Sequence, residues 1–381
     1  MISLSIAAFV AVLVGFTSSV AIVLQAAQAA EASPAQAASW LLALSVAMGV
    51  GSIWMSWRTR MPILMAWSTP GAAVLATSLV GVPMSEAIGA FVLCGVLIMA
   101  TGVSGVFERF ASRLPLGVAA AMLAGVLLKF GIDIAVGAKA DPALVIVMGL
   151  VFFLGKRWLS RYAVPLTLAG GLIWAGAAGT IEFSKLDLAL SMPVWTTPSF
   201  SLSSFIGITV PLFIVTMASQ NLPGLAVLKA SGYAPNTSPV ITASGVVTTL
   251  AAPFGGFAVN LAAITAALCA SAQAHPDPRQ RYKASLIAGA LYVLAGMFGA
   301  SVVALFAAVP KALVMAIAGL ALLGTIASAL ESALKEPAQR DAALLTFLVS
   351  ASGVSFFGVG AAFWGLVAGL VVLGFQTRPK A

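Results

Sequence analysis

Residues 248–260, TTLAAPFGGFAVN, interrupt an apolar span with Pro253, Gly255 and Gly256. In the hydrocarbon core an unpaired backbone amide costs several kcal/mol, so irregular backbone survives only where protein or a cavity satisfies it. The stretch therefore predicts a half-helix beginning near Gly255, with free amides facing something polar. Residues 61–76, MPILMAWSTPGAAVLA, repeat the pattern about 180 residues earlier, with Pro70 and Gly71 in the places of Pro253 and Gly255. Two interrupted spans in corresponding positions point to a binding site.

The chain around them has 381 residues, 61% of them hydrophobic and only 8% charged, with a mean hydropathy of +1.08. In soluble domains charged residues run near a quarter, so this composition predicts an all-α polytopic membrane protein. The net charge of +8 would suggest nucleic acid in a soluble protein. Here the basic residues sit in short loops between apolar spans, where they set orientation and exclude that partner. Cys94 and Cys269 lie inside apolar spans with no partner nearby in sequence, so neither a disulfide framework nor a metal site is expected. Residues 1–30 contain AAQAA, similar to a signal-peptidase site, but the first five residues lack the positive flank. A retained first helix is expected.

Apolar runs of membrane-spanning length fall at 5–29, 37–56, 62–80, 85–106, 115–136, 142–155 and 162–180. Seven more follow at 203–221, 238–251, 253–273, 284–308, 312–330, 342–353 and 358–375. Residues 181–201 carry Glu182, Lys185, Asp187, Pro193 and Pro198, and so divide the chain into a first repeat, 1–180, and a second, 202–381. Fourteen spans with cytoplasmic termini place 15 of the 19 Lys and Arg residues inside. They leave Lys139, Lys185 and Lys311 outside and Lys129 within the membrane, the asymmetry the positive-inside rule requires.

Seven spans per half force the second repeat to enter the membrane from the opposite face, giving 7+7 inverted repeats. Spans three and ten would then approach the midplane as short extended segments and start helices there. Their positive dipole ends would converge from opposite sides and favour an anion. Thr69 can act as the N-cap with Pro70 at the first helical position, and Gly71 permits close approach. A helix from Gly71 to Val80 would rise about 15 Å, half the bilayer core.

Polar side chains near the breaks supply candidates for the site. Span eight carries Ser219, Gln220 and Asn221 ahead of Pro223, and span one carries Phe16, Thr17 and Ser18. These complete a site from flanking helices or join helices by hydrogen bonds, and both roles suit such residues. Asn260 follows the second break and serves ligand or broken backbone. Phe254, Phe257, Trp67 and Phe16 offer faces to an aromatic ligand, or simple packing. The candidate substrate site is Phe16, Thr17, Ser18, Ser68, Thr69, Gly71, Ser219, Gln220, Asn221, Phe254, Gly255, Gly256 and Asn260. Lys129 and Asp133 are intramembrane charges at i,i+4 spacing, suited to a structural pair or to proton coupling. His275 lies in a Pro-rich loop. No HExxH, GxSxG or P-loop pattern occurs, so neither an enzyme nor a cofactor or metal site is expected.

The segments RMPILMAWSTPGAAVLA (60–76), ASQNLPGLAVLKASGY (218–233) and APFGGFAVNLAAITAALCA (252–270) closely resemble the BenE family of benzoate/proton symporters. The likeness runs through most of the chain. It implies benzoate import across the bacterial inner membrane. It also implies the architecture shared with uracil permeases and sulfate transporters, with a core domain of spans one to four and eight to eleven and a gate domain of spans five to seven and twelve to fourteen. In that architecture spans one, three, eight and ten line the site. The nucleobase relatives typically carry carboxylates on spans eight and ten. Here Gln220, Asn221 and Asn260 stand instead, and the absence of an acid suits an anionic ligand.

An anion entering a negative-inside cell moves against roughly 2.3 kcal/mol per 100 mV, so uptake needs a companion cation. One proton makes the step electroneutral, with Glu86, Asp133 or the substrate carboxylate as its carrier. The expected partners are thus an aromatic carboxylate, protons and the lipid bilayer, with a homo-oligomer left open. The competing readings are a transporter or a channel for another small anion, such as sulfate or a dicarboxylate.

Overall fold

The computed structural model describes residues 2–107, 115–186, 188–354, 356–357 and 359–376. Of the charges used in the orientation argument, Arg109, Arg113, Arg378 and Lys380 lie outside them, as do Glu108 and Asp187. The first half contains α1 (Ile2–Thr17), α2 (Val20–Ala29), α3 (Pro34–Thr59), β1 (Met65–Trp67), α4 (Thr69–Ser78), α5 (Met84–Val103), α6 (Leu116–Ala140), α7 (Pro142–Trp158) and α8 (Ala163–Ala177). After the segment around residues 181–201 come α9 (Leu202–Ala230), α10 (Thr237–Ala251), β2 (Val259–Leu261), α11 (Ile264–Ala270), α12 (Tyr282–Met297), α13 (Gly299–Ala308), α14 (Lys311–Leu334), α15 (Arg340–Ala351) and α16 (Ala361–Gln376).

Among the described residues six helices are long and apolar enough to cross a bilayer, or seven if the bent pair 278–308 counts as one span. That is fewer than the fourteen spans read from hydropathy, because several of the apolar runs fold as shorter helices. The two broken elements are the clearest cases. The run 284–308 is also not straight: α12 and α13 meet at a 58° bend. Ser191, from the connecting segment, mends the ladder at that bend. Its N–H donates to the Met297 carbonyl at 2.8 Å, and its hydroxyl accepts from Ala300 N–H at 2.8 Å. Groups freed by a kink are satisfied in this way.

Local chemistry sets the helix ends. Ser33 caps α3 in a capping box with Gln36, Pro34 sits in its first turn, and Arg60 closes it in a left-handed conformation, as capping preferences dictate. The helices associate in two sets. α12 packs along α3 and α1, and α10 along α5 and α3, while α14 packs along α6, α15 on α6 and α16, and α7 on α8. Small residues permit the close crossings, since lipid supplies no hydrophobic drive between helices. A Cβ on Gly49 would come 2.5 Å from the Gly289 carbonyl, and one on Gly289 would come 2.7 Å from the Gly49 carbonyl.

At the centre of the first set β1 pairs antiparallel with β2, Ala66 opposite Asn260. The ladder extends through Ser68 N–H to Ala258 O and Ala262 N–H to Leu64 O, each at 2.9 Å. A two-stranded sheet has two open edges, which the membrane interior does not tolerate. Side chains from flanking helices close them. Met65 N–H donates to Ser52 Oγ and Trp67 N–H to Met48 Sδ, both on α3. On the other edge Val259 N–H donates to Thr248 Oγ1 and Leu261 N–H to Asn221 Oδ1, each at 2.9 Å.

Candidate functional site

Each strand feeds a helix, and because the strands are antiparallel the two helices leave the sheet in opposite directions. The N-terminal ends of α4 and α11 border one cavity of about 450 Å3, lined by Thr69 and Pro70 from one and by Ala263 and Thr265 from the other. Its volume lies within the range of about 300–1,000 Å3 usual for small-molecule sites. α1 contributes Val14 and Gly15, Ser18 and Ser19 follow directly, and α9 contributes Ser219 and Gln220. Across from these stand Val164 of α8 and Ala321, Thr325 and Ser328 of α14. Among the described residues no charged side chain lines the space.

α4 starts at the expected break, but its N-cap is Ser68 rather than Thr69. Ser68, fully buried, caps it by accepting Gly71 N–H at 3.1 Å, and Thr216 of α9 donates to the same hydroxyl at 3.1 Å. Gly71 has no room for a side chain, because a Cβ would lie 2.7 Å from both Leu212 Cδ1 and Ser68 Oγ. Ala72 N–H bonds the Ser68 carbonyl and Pro70 has no N–H. Thr69 N–H is therefore the first-turn donor of α4 left without an acceptor among the described residues.

The second break differs from its reading in sequence. No helix begins at Gly255. Gly255 N–H bonds Ala252 O and Gly256 N–H bonds Ala251 O, with Gly255 at φ 94°, so the glycines terminate the preceding helix. This is the usual left-handed C-terminal cap. The helix restarts nine residues later, after β2. A Cβ on Gly255 would also overlap the Trp40 indole. Phe254 meets Trp195 edge to face at 5.5 Å and lines a separate lateral groove. Phe254, Gly255 and Gly256 are thus absent from the cavity lining.

Of the remaining candidates, Ser18, Thr69, Ser219 and Gln220 come together on the cavity. Ser18 also bonds back to the Gly15 carbonyl at 3.2 Å, and Thr17 turns to the Leu13 carbonyl at 2.6 Å. Phe16 packs on Trp67, ring centroids 5.1 Å apart, and it is Trp67 that reaches the cavity. Asn221, buried, serves β2. Asn260, also buried, spans the strands: in the orientation satisfying both ends, its amide donates to Leu261 O at 2.9 Å and accepts from Ser68 N–H at 3.1 Å.

Neighbours in sequence separate here because residues 217–221 form a π-turn, closed by Leu222 N–H on the Met217 carbonyl. Pro223 has no N–H to offer the Ser219 carbonyl four residues back, and its ring crowds that carbonyl, so the helix widens ahead of it. Pro211 follows a second π-turn, 205–209, in the same helix. Sequence reasoning missed Tyr292, Thr265, Ser160, Thr325 and Ser328. The available signal was polar residues recurring at i,i+3 within an apolar span, as at Thr325 and Ser328.

Neither acid considered for proton coupling reaches the cavity. Glu86 Oε2 accepts from Ser201 Oγ at 2.5 Å and Ser204 Oγ at 2.6 Å, tying α5 to the start of α9. Asp133 pairs with Lys129 at 3.0 Å.

Comparison with known proteins places these features in a family. The family model for benzoate membrane transport protein, BenE, matches residues 2–375. The chain is 44% identical over 364 residues to inner membrane protein YdcO of Escherichia coli K12, covering 96% of this chain and 93% of that one. It is 38% identical over 380 residues to the benzoate membrane transport protein of Acinetobacter baylyi, covering 100% and 96%. Among solved structures, the transmembrane domain of the cyanobacterial bicarbonate transporter BicA superposes with TM-score 0.64 at 14% identity, covering 92% of this chain and 96% of that one. Murine Slc26a9, an anion transporter in the inward-facing state, gives 0.65 at 14%, covering 100% and 69%. At such identity the likeness speaks to fold alone: this is a mostly helical membrane protein with that transporter fold. Family and architecture agree, and the chain belongs to the BenE family of benzoate membrane transport proteins, membrane transporters rather than enzymes.

Proposed function

We propose that the protein imports benzoate with a proton across the bacterial inner membrane by alternating access, the carboxylate lying between the N-terminal ends of α4 and α11. The observation that carries this reading is that one cavity is bounded by both strand–helix breaks, with Ser219 and Gln220 in its wall and no charged side chain there among the described residues. Helix starts favour an anion, and an acid in the wall would repel it. Trp67 supplies an aromatic face, and the name of the Acinetobacter relative supports benzoate as the anion.

In this account the chain makes fourteen passages as 7+7 inverted repeats, with both termini in the cytoplasm. The helices around β1 and β2 form the core domain, and α6–α8 with α14–α16 form the gate. Rocking of one set against the other opens the cavity to alternate sides. Closure removes water from the bound carboxylate, and this desolvation raises its pKa against the opposing pull of the helix N-termini and hydroxyl donors. The substrate then takes up the proton itself on occlusion, and the crossing is electroneutral. Equilibrium binding of labelled benzoate to purified protein tests the substrate assignment. Saturable binding that excess sulfate or succinate leaves intact is expected. Displacement by either anion at concentrations comparable to benzoate would overturn it.

A further inference from the structure

We propose that the Tyr292 hydroxyl donates a hydrogen bond to the carboxylate of the transported substrate. This rests on the reading that the cavity between α4 and α11 is the carboxylate site, and it adds a donor from α12, an element outside the two breaks.

Tyr292 is 1% exposed and borders the cavity, yet its buried hydroxyl has no hydrogen-bond partner among the described residues. Buried hydroxyls are nearly always paired, so an orphan calls for a missing partner. Thr265 of α11 lies close enough to interact with it, but the two make no hydrogen bond of ordinary geometry. On the third side is Gly15 of α1. A Cβ at Gly15 would stand 2.8 Å from the Tyr292 hydroxyl and 3.3 Å from the Thr265 methyl, so only glycine lets α1 pack this closely on the phenol without a side chain intruding on its hydroxyl. The Gly15 carbonyl is engaged by Ser19 Oγ at 2.9 Å and offers Tyr292 nothing.

A carboxylate bound in the cavity would supply an acceptor for this hydroxyl. A carboxylate only accepts, through two oxygens with about four lone-pair sites, and a phenol keeps its proton at neutral pH. The α4 start leaves one amide, Thr69 N–H, without an acceptor among the described residues. Tyr292 adds a side-chain donor near the α11 start, beside Thr265. A rigid ring flanked by Gly15 of α1 and Thr265 of α11 holds that donor in place without the entropy loss of a long flexible side chain.

The test uses full-length Tyr292→Phe, which keeps the ring and deletes the orphan hydroxyl, with Gln220→Ala as a separate probe of the cavity. Benzoate Kd, thermal unfolding and infrared difference spectra of protein carrying ring-deuterated tyrosine are measured. The chain has four tyrosines, and the other three lie elsewhere: Tyr233 bonds Pro278, Tyr282 meets Arg60, and Tyr162 borders a separate cavity. The expected result is a Kd about tenfold weaker in Tyr292→Phe with an unfolding temperature no lower than wild type. Benzoate should shift a tyrosine band in wild type that is absent from the variant. Weakened binding in Gln220→Ala alone overturns the Tyr292 contact and leaves the cavity reading standing. Unchanged affinity in both variants removes the cavity reading and this inference with it. A wild-type tyrosine band indifferent to benzoate overturns the contact even where Tyr292→Phe weakens binding.

Discussion

Gln220 and Asn221 are adjacent, similar in chemistry and different in task. The π-turn ahead of Pro223 sends the first to the cavity and the second to the edge of β2. Their alanine variants should therefore separate two readouts. Gln220→Ala should weaken benzoate binding about tenfold, the scale of one hydrogen bond to a charged group, with unfolding unchanged. Asn221→Ala strands the buried Leu261 N–H, a loss of about 1–3 kcal/mol, and should lower the unfolding temperature by several degrees. Affinity and melting curves on the two purified proteins check this, and the reverse pattern would contradict the assignment. Composition marked both residues as polar groups near a break. Which way each one points depends on Pro223, three and two residues on, whose effect on helix pitch is invisible to a 3.6-residue pattern.

At the scale of elements the two breaks were legible and only one was read in the right direction. Ser68-Thr69-Pro70-Gly71 carries the signals of a helix start, and α4 begins there. Pro253-Phe254-Gly255-Gly256 carries proline and glycines too, but glycine also ends helices, and here the left-handed Gly255 closes α10 and its final turn. The three-residue strands are too short for an alternation pattern to be seen. Their pairing depends on residues in distant segments: Ser52, Met48, Thr248 and Asn221 each satisfy an outward-facing amide. Gly255→Leu places a side chain into the Trp40 indole at a backbone angle that suits glycine. We expect that variant to fail at folding, seen as loss of monodisperse protein on gel filtration in detergent. A well-folded Gly255→Leu protein with weakened benzoate binding would instead return Gly255 to the substrate site.

For the whole molecule, hydropathy and loop charge gave a multi-pass membrane protein, and the motif resemblance named the family that sequence comparison supports over residues 2–375. Helix number was less legible, since a hydropathy run does not distinguish a full crossing from a strand with a short helix, or from the 58° bend between α12 and α13. The central claim is coupled transport with the proton carried by the substrate. Glu86, held by Ser201 and Ser204, and Asp133, paired with Lys129, are then structural. The decisive measurement is uptake of labelled benzoate into proteoliposomes under an imposed pH gradient, for wild type, Glu86→Gln and Asp133→Asn. The account predicts accumulation above equilibrium when the outside is acidic, abolished by a protonophore and retained by both variants. Uptake by wild type indifferent to the gradient would contradict it, as would gradient-driven accumulation that either substitution eliminates while leaving benzoate binding intact.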